Sequence, residues 1–263
     1  MSLLAEIIAH KRAEVARTQA LVPLEALPSR SGPVRDFQGA LARNGLQVIA
    51  EIKRKSPSRG PLNLNLDPAA LGRSYEAAGA AAISVLTDEA YFGGRLEHLV
   101  AVRAAVQLPV LRKDFIVDPY QVHESFHAGA DAILLIADVL DQAQLEELFG
   151  LAHSLGLHVL VEGHGDESLE RIRLLAPPVV GLNARDLATM QVDLAGLLRR
   201  RARLPETALH VAESGIAGPA DLPRVAQAGY DAALIGTALL THDDPGQHLR
   251  QFLAAVATEE AVK

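Results

Sequence analysis

From Gln47 to Gly236 the chain repeats one beat, a short apolar run followed by a helical stretch. The runs are QVIAEI, AAISVL, LPVLR, DAILLI, LHVLV, PVVGL, ALHVA and DAALIG. Each is nearly continuous, with no polar alternation, as a strand buried on both faces of a parallel sheet should be. Asp67-Pro68, Asp118-Pro119 and Asp244-Pro245 each place a capping carboxylate before an N1 proline. Gly79, Gly129, Gly156 and Gly229 fall where helices should end. Eight such alternations, with no second compositional zone, predict an α/β fold, a closed (β/α)8 TIM barrel. A doubly wound sheet would carry a GxGxxG turn after its first strand, and KRKSPSRGPLN stands there instead.

A chain of 263 residues suits a single domain of this kind. The expected division is an N-terminal helical extension over 1–45 and a barrel over 46–257. MSLLAEIIAHKRAEVARTQ repeats Leu3, Leu4, Ile7 and Ile8 at helical spacing, with Glu6, Lys11, Arg12 and Glu14 between them. Those charges interrupt the continuous apolar core that a signal peptide needs. No apolar run approaches the roughly 20 residues of a membrane span. The expectation is a cytoplasmic protein without a membrane partner. A net charge of −7, and no basic stripe with interleaved aromatics, argue against nucleic acid as a partner. With no Cys, thiolate metal sites are excluded.

In such barrels the active site is built at the C-terminal ends of the strands, so those positions carry the chemistry. Glu51 and Lys53 end the first run and, two residues apart, point to the same side. The pair reads as well as a structural ion pair. The following Ser56-Pro57-Ser58 favours a polar loop over the mouth. Only five of the 25 basic residues are Lys, and Lys113 is another at a strand end. An ammonium can give up a proton where a guanidinium cannot. Asp114 and Phe115 are expected to fix and desolvate it, lowering its pKa toward the working pH. Glu162, directly after the run LHVLV, reads as a base or as a salt-bridge partner of Lys113 or Arg185. Asn183 offers a donor and an acceptor, or simply a turn. Arg185 can fork an anion. Ser214-Gly215 and Gly236-Thr237 follow the seventh and eighth runs, where barrels commonly bind phosphate through backbone N–H groups. The constellation reads as a proton-transfer site for an anionic, phosphorylated small molecule.

His123-Glu124-Ser125-Phe126-His127 matches the HExxH pattern of zinc proteases. It falls in the helix after the third strand, away from the strand ends, and reads as a surface helix. No metal site is expected.

EIKRKSPSRGPL, ISVLTDEAYFGG, LRKDFIVDPYQ, GADAILLI, VEGH, GLNARDL, AESGI and LIGTALL, in this order, closely resemble the indole-3-glycerol-phosphate synthase family. The resemblance runs from about Val48 to Leu253. It implies a (β/α)8 barrel of tryptophan biosynthesis with an added N-terminal segment. The implied activity is the conversion of 1-(2-carboxyphenylamino)-1-deoxyribulose 5-phosphate to indole-3-glycerol phosphate, with loss of CO₂ and water and without a cofactor. It also implies residue roles. The general acid falls on Lys113 and the general base on Glu162. Lys53 binds substrate anions and shares in the proton transfers. Glu51 and Asn183 orient the reacting groups. Ser56 and Phe115 line the anthranilate side. Ser214, Gly215, Gly236 and Thr237, with Arg185, hold the phosphate. Family members are often monomeric, or fused to neighbouring pathway enzymes.

Two positions depart from the family pattern. Gly163 stands where an aliphatic residue is common, and Ala184 where Asn or Ser is common. Gly163 is expected to loosen the Glu162 loop, and Ala184 to remove a polar neighbour of Asn183. A sibling phosphate-binding barrel, such as a phosphoribosylanthranilate isomerase, would keep the two glycine loops but leave Lys53, Lys113 and Glu162 unexplained. A non-catalytic binding barrel would leave the same three groups without a use.

Overall fold

The computed structural model describes residues 2–57, 60–186 and 189–260, with residues 258–260 described by backbone alone. Ser58 of the polar loop and Leu187 of GLNARDL lie outside the described residues. Every apolar run forms a strand. They are β1 (Gln47–Ile52), β2 (Ala82–Leu86), β3 (Val110–Lys113), β4 (Ala132–Ile136), β5 (His158–Gly163), β6 (Val179–Asn183), β7 (Leu209–Glu213) and β8 (Ala232–Ile235). All pair in parallel, each with its neighbours in sequence, and β8 pairs with β1 to close the barrel.

The capping signals act as their chemistry requires. Asp67 accepts from the Ala69 and Ala70 amides, Asp118 from Tyr120 and Asp244 from Gln247. Gly79, Gly129, Gly156 and Gly229 all have positive φ, which glycine adopts without a Cβ penalty. Outward strand residues such as Val48, Ile83 and Ile133 pack with helix residues such as Leu71, Leu99 and Leu145 in one continuous core.

Inward residues fall in layers drawn from alternate strands. Followed round the tilted barrel, the strand registers put Ile49, Leu111, Leu160 and Val211 in one layer. Ser84, Leu134, Gly181 and Leu234 form the next. Above them, β1, β3, β5 and β7 supply Glu51, Lys113, Glu162 and Glu213. Two layers without an ionisable side chain thus give way abruptly to a ring of ionisable ones.

The N-terminal segment packs at both ends of this cylinder. Helix α1 (Leu3–Leu21) lies at the mouth, where Leu3, Leu4 and Ile7 line the central cavity. The connection that follows is strapped to the barrel by Arg30, which donates to the Phe126 and Ala130 carbonyls and to Asp131. Phe37 and Leu41, from the short helix Phe37–Leu41, are fully buried and join Ile49, Ala82, Ala132 and Val179 in the inner apolar cluster.

Two short elements have no counterpart in the repeating pattern. Lys55–Ser56 pairs with Gly60–Pro61 as a small antiparallel hairpin, and Glu89–Phe92 forms a helical turn after β2. Both sit in loops at the mouth. The HExxH residues lie in the helix Pro119–His127. Glu124 pairs with Arg112, and His127 Nδ1 meets the Pro28 carbonyl. Among the described residues no three metal-ligating side chains gather.

Candidate active site

A cavity of about 400 Å³ opens at the C-terminal ends of the strands. Every proposed site residue lines it: Glu51, Lys53, Ser56, Lys113, Phe115, Glu162, Asn183, Arg185, Ser214, Gly215, Gly236 and Thr237. Strand ends place the charged groups, and the following loops supply the glycines and Ser56.

Lys113 Nζ sits 2.7 Å from Glu162 Oε2 and 2.7 Å from Glu213 Oε2. Asn183 Nδ2 donates to Glu162 Oε1 at 2.8 Å, and Asn183 Oδ1 accepts from the Arg185 amide. The Asn183 side chain thus connects the ends of β5 and β6. Lys53 Nζ pairs with Glu51 Oε1 at 2.5 Å. Gly236 makes room for that pair, since a Cβ there would lie 2.2 Å from Glu51 Oε1.

The electrostatics correct one expectation. Burial does push the Lys113 pKa down, but the Glu162, Glu213 and Glu51 carboxylates more than offset it and hold the ammonium well above the usual lysine range. Its fixing partners are also not the neighbours in sequence. Asp114 turns away, to Lys11 at 3.0 Å and Arg112 at 3.2 Å.

The two carboxyls beside Lys113 are driven apart. For Glu162, burial acts upward, but the Lys113 charge and hydrogen bonds from Lys113 and Asn183 hold its pKa below the ordinary value. Glu213 is pushed up to about 8 by burial and by the adjacent Glu162 carboxylate. Like charges in one buried site cannot both ionise easily. One carboxyl is therefore kept ionised and the other holds a proton near neutrality.

Glu213 was not singled out by the strand-end reading, although it stands beside Ser214. The available signal was its layer. It occupies the same inward position on β7 that Glu51, Lys113 and Glu162 occupy on β1, β3 and β5.

The loops after β7 and β8 differ in backbone. Gly215 has φ 77°, and Ser214 has φ 65°, a left-handed conformation rare for a residue with a side chain. Gly236 precedes the short helix Thr237–Leu240. Arg185 Nη1 donates to the Met190 carbonyl, and residues 185 and 192 form an isolated antiparallel bridge. On the aromatic side, Phe115 and Phe92 have ring centroids 6.2 Å apart.

The departures have structural reasons. A Cβ at Gly163 would lie 2.8 Å from Ile172 Cδ1 and 3.0 Å from Ser168 Oγ. Gly163 therefore lets the helix Asp166–Leu175 pack closely on β5, a contact that the expectation of a loosened loop did not include. Ala184 is fully buried, and a Cβ on Gly215 would meet its Cβ at 3.2 Å. Its small side chain leaves space for the loop carrying Ser214 and Gly215.

A further group anchors this mouth. Lys11 of α1 is 1 % exposed and contacts Asp88 at 2.9 Å, Asp114 at 3.0 Å and Glu14 at 3.0 Å. Asp88 caps the turn carrying Phe92, and Asp114 accepts from the Phe115 amide. One buried ammonium thus ties α1 to the loops after β2 and β3. The sequence reading gave α1 no part in the site.

Residues 4–252 match the family model described as "Indole-3-glycerol phosphate synthase". The chain belongs to the indole-3-glycerol phosphate synthase family. Its activity is that family's, a carboxy-lyase reaction of tryptophan biosynthesis. It is 46% identical over 258 residues to indole-3-glycerol phosphate synthase 1 of Streptomyces coelicolor, covering 97% of this chain and 96% of the relative. It is also 46% identical over 257 residues to the indole-3-glycerol phosphate synthase of Mycolicibacterium smegmatis, covering 97% and 94%. Among solved structures, the tryptophan synthase alpha subunit of Legionella pneumophila superposes with a TM-score of 0.62 at 16% identity, covering 84% of this chain and 98% of that one. A 3-hexulose-6-phosphate synthase gives 0.61 at 21% identity, covering 81% and 99%. These two share the barrel. No helix among the described residues is long and apolar enough to cross a membrane.

Proposed function

We propose that this cavity converts 1-(2-carboxyphenylamino)-1-deoxyribulose 5-phosphate to indole-3-glycerol phosphate by the following division of labour. The substrate phosphate lies against the backbone of Ser214, Gly215, Gly236 and Thr237, with Arg185 nearby. The aromatic ring lies toward Phe115 and Ser56. Lys53 pairs with the substrate carboxylate, and Glu51 orients Lys53.

Lys113 is the general acid. As the ring carbon bearing the carboxylate attacks the ketone, a carbon–carbon bond forms and negative charge grows on the ketone oxygen. The Lys113 ammonium protonates it. Its raised pKa suits this role, because it keeps the amine charged at neutral pH and an alkoxide is more basic still. Loss of CO₂ returns its bonding pair to the ring and restores aromaticity. Dehydration then removes a proton from the carbon beside nitrogen, to Glu162, while the hydroxyl leaves as water with a proton supplied from the Lys113–Glu213 side. Asn183 holds Glu162 in place. Each positioned acid or base contributes on the order of 10²–10⁴ in rate.

The observation that carries this reading is the Lys113 ammonium set 2.7 Å from both Glu162 and Glu213 in the cavity. The reading also takes the chain as one domain, with 46–257 as barrel and 1–45 as extension, acting as a cytoplasmic monomer. The continuous eight-stranded closure from Gln47 to Ile235 supports the single barrel domain. Purified protein is incubated with the carboxyphenylamino substrate and indole fluorescence is followed. Turnover is expected, and its absence in well-folded protein overturns the assignment.

A further inference from the structure

The layer directly beneath the ionisable ring contains two large side chains, Leu134 and Leu234, and two small residues, Ser84 and Gly181. Gly181 lies on β6, next to β7, which carries Glu213. A Cβ at Gly181 would fall 2.1 Å from Glu213 Oε1 and 3.2 Å from its Cδ. The Glu213 carboxyl therefore occupies volume that any other residue at 181 would fill. A Cβ would also lie 3.3 Å from Leu160 Cδ1, so a side chain there has little room to turn aside. Glu213 Oε1 rests against this gap, while Oε2 reaches Lys113 at 2.7 Å.

The other carboxyls of the ring are held in different ways. Glu51 meets the same kind of gap at Gly236 and is paired with Lys53. Glu162 accepts a hydrogen bond from Asn183. Glu213 Oε1 has no hydrogen-bond partner among the described residues, so shape fixes that end of the carboxyl. Gly181 has no positive φ, and its turn-free place inside a strand gives it no backbone reason to be glycine.

We infer that Gly181 is a positioning residue, whose missing side chain seats the Glu213 carboxyl below the ring so that it meets Lys113. An added methyl lifts the carboxyl and breaks the Lys113–Glu213 contact, leaving Lys113 to Glu162 alone. The proton transfers lose their geometry, while the phosphate loops and aromatic wall are untouched. The inference rests on the proposed part of Glu213 in proton traffic, and the experiment separates the two.

Steady-state kinetics are measured for Gly181→Ala, Glu213→Ala and the double variant, per folded molecule, with circular dichroism as the folding control. Gly181→Ala is expected to lower kcat by roughly ten- to a hundredfold, the scale of a small misplacement of reacting groups, with KM within about threefold. Glu213→Ala is expected to lower kcat comparably. The double variant, whose methyl enters vacated space, should match Glu213→Ala within about twofold, because Gly181 acts only through Glu213. If Glu213→Ala keeps wild-type kcat, the reading of Glu213 fails and takes the inference with it. If Glu213→Ala is impaired but Gly181→Ala is not, or if the two losses multiply, the inference alone is overturned. Should Gly181→Ala not fold, its combination with Glu213→Asp carries the test. The carboxyl, one methylene shorter, clears the methyl, so kcat should match Glu213→Asp alone, and a further tenfold loss overturns the inference.

Discussion

Lys113 and Glu213 meet at 2.7 Å although a hundred residues separate them in the chain. The contact joins an amine with a raised pKa to a carboxyl that holds its proton to about 8. Glu162, on the other side of Lys113, remains ionised. The ring thus offers a proton donor and a proton acceptor within one cavity at neutral pH.

Lys113→Ala is expected to lower kcat by at least about 10³-fold, near the upper range for a single acid, with an unchanged circular dichroism spectrum. Retention of near-wild-type turnover would reject Lys113 as the acid.

The two glutamates should answer differently to amide substitution. Glu162→Gln removes the base and should cost about as much as Lys113→Ala. Glu213→Gln mimics the protonated carboxyl and should cost far less. It should also flatten the fall in kcat expected as pH rises through about 8, where wild-type Glu213 loses its proton. A Glu213→Gln profile retaining that alkaline limb would assign it to another group.

Glu213 also links stability to pH. Its folded pKa lies above the ordinary 4.5, so between 4.5 and about 8 the native state binds a proton that the unfolded chain has released. Stability must then fall as pH rises across that window. Glu162 has the opposite shift, and its contribution is lost only at lower pH, as the medium falls through its folded pKa. Denaturant titrations should therefore show Glu213→Gln gaining on the wild type from pH 4.5 upward. A constant difference would contradict the raised pKa.

Lys11→Met should destabilise the fold by about 3–5 kcal/mol, since it strands buried carboxylates without their cation. The fall in Tm should be on the order of 10 °C. Adding Asp88→Asn, which keeps the cap on Tyr91 but removes one charge, should recover part of the loss. No recovery would mean that packing by the Lys11 stem, not its charge, holds α1.

Inorganic phosphate should compete with substrate, and Gly215→Ala should weaken both by at least tenfold. At φ 77° an added Cβ is strained, and it would lie 3.1 Å from Val192. Undiminished competition would move the phosphate site elsewhere.

Much of this could be read in the chain beforehand because barrel strands have an all-apolar interior and polar ends. The point where VIA becomes Glu51, or LHVLV becomes Glu162, is visible without coordinates. What stayed hidden depends on closure and on contacts across the sequence. Glu213 looked like part of a glycine loop until the layers aligned it with Lys113. The rise in the Lys113 pKa needed the carboxylates of β1, β5 and β7, where the local sequence suggested only desolvation. Lys11 read as one charge on an amphipathic helix, because nothing nearby announces that Asp88 and Asp114 converge on it. Gly163 suggested slack only because the helix packed against it was out of view.

The four ring residues come from alternate strands, and β8 alone bridges the strand of Glu213 to that of Glu51. A nascent chain that has emerged only as far as Glu213 already contains every ionisable group of the ring, yet has no seam holding its first and last members together. Competence therefore waits for β8 and the Gly236–Thr237 loop behind it, and a ribosome stalled just short of Ala232 would leave a polypeptide that owns all four ring residues but neither the last stave nor half of its phosphate cradle.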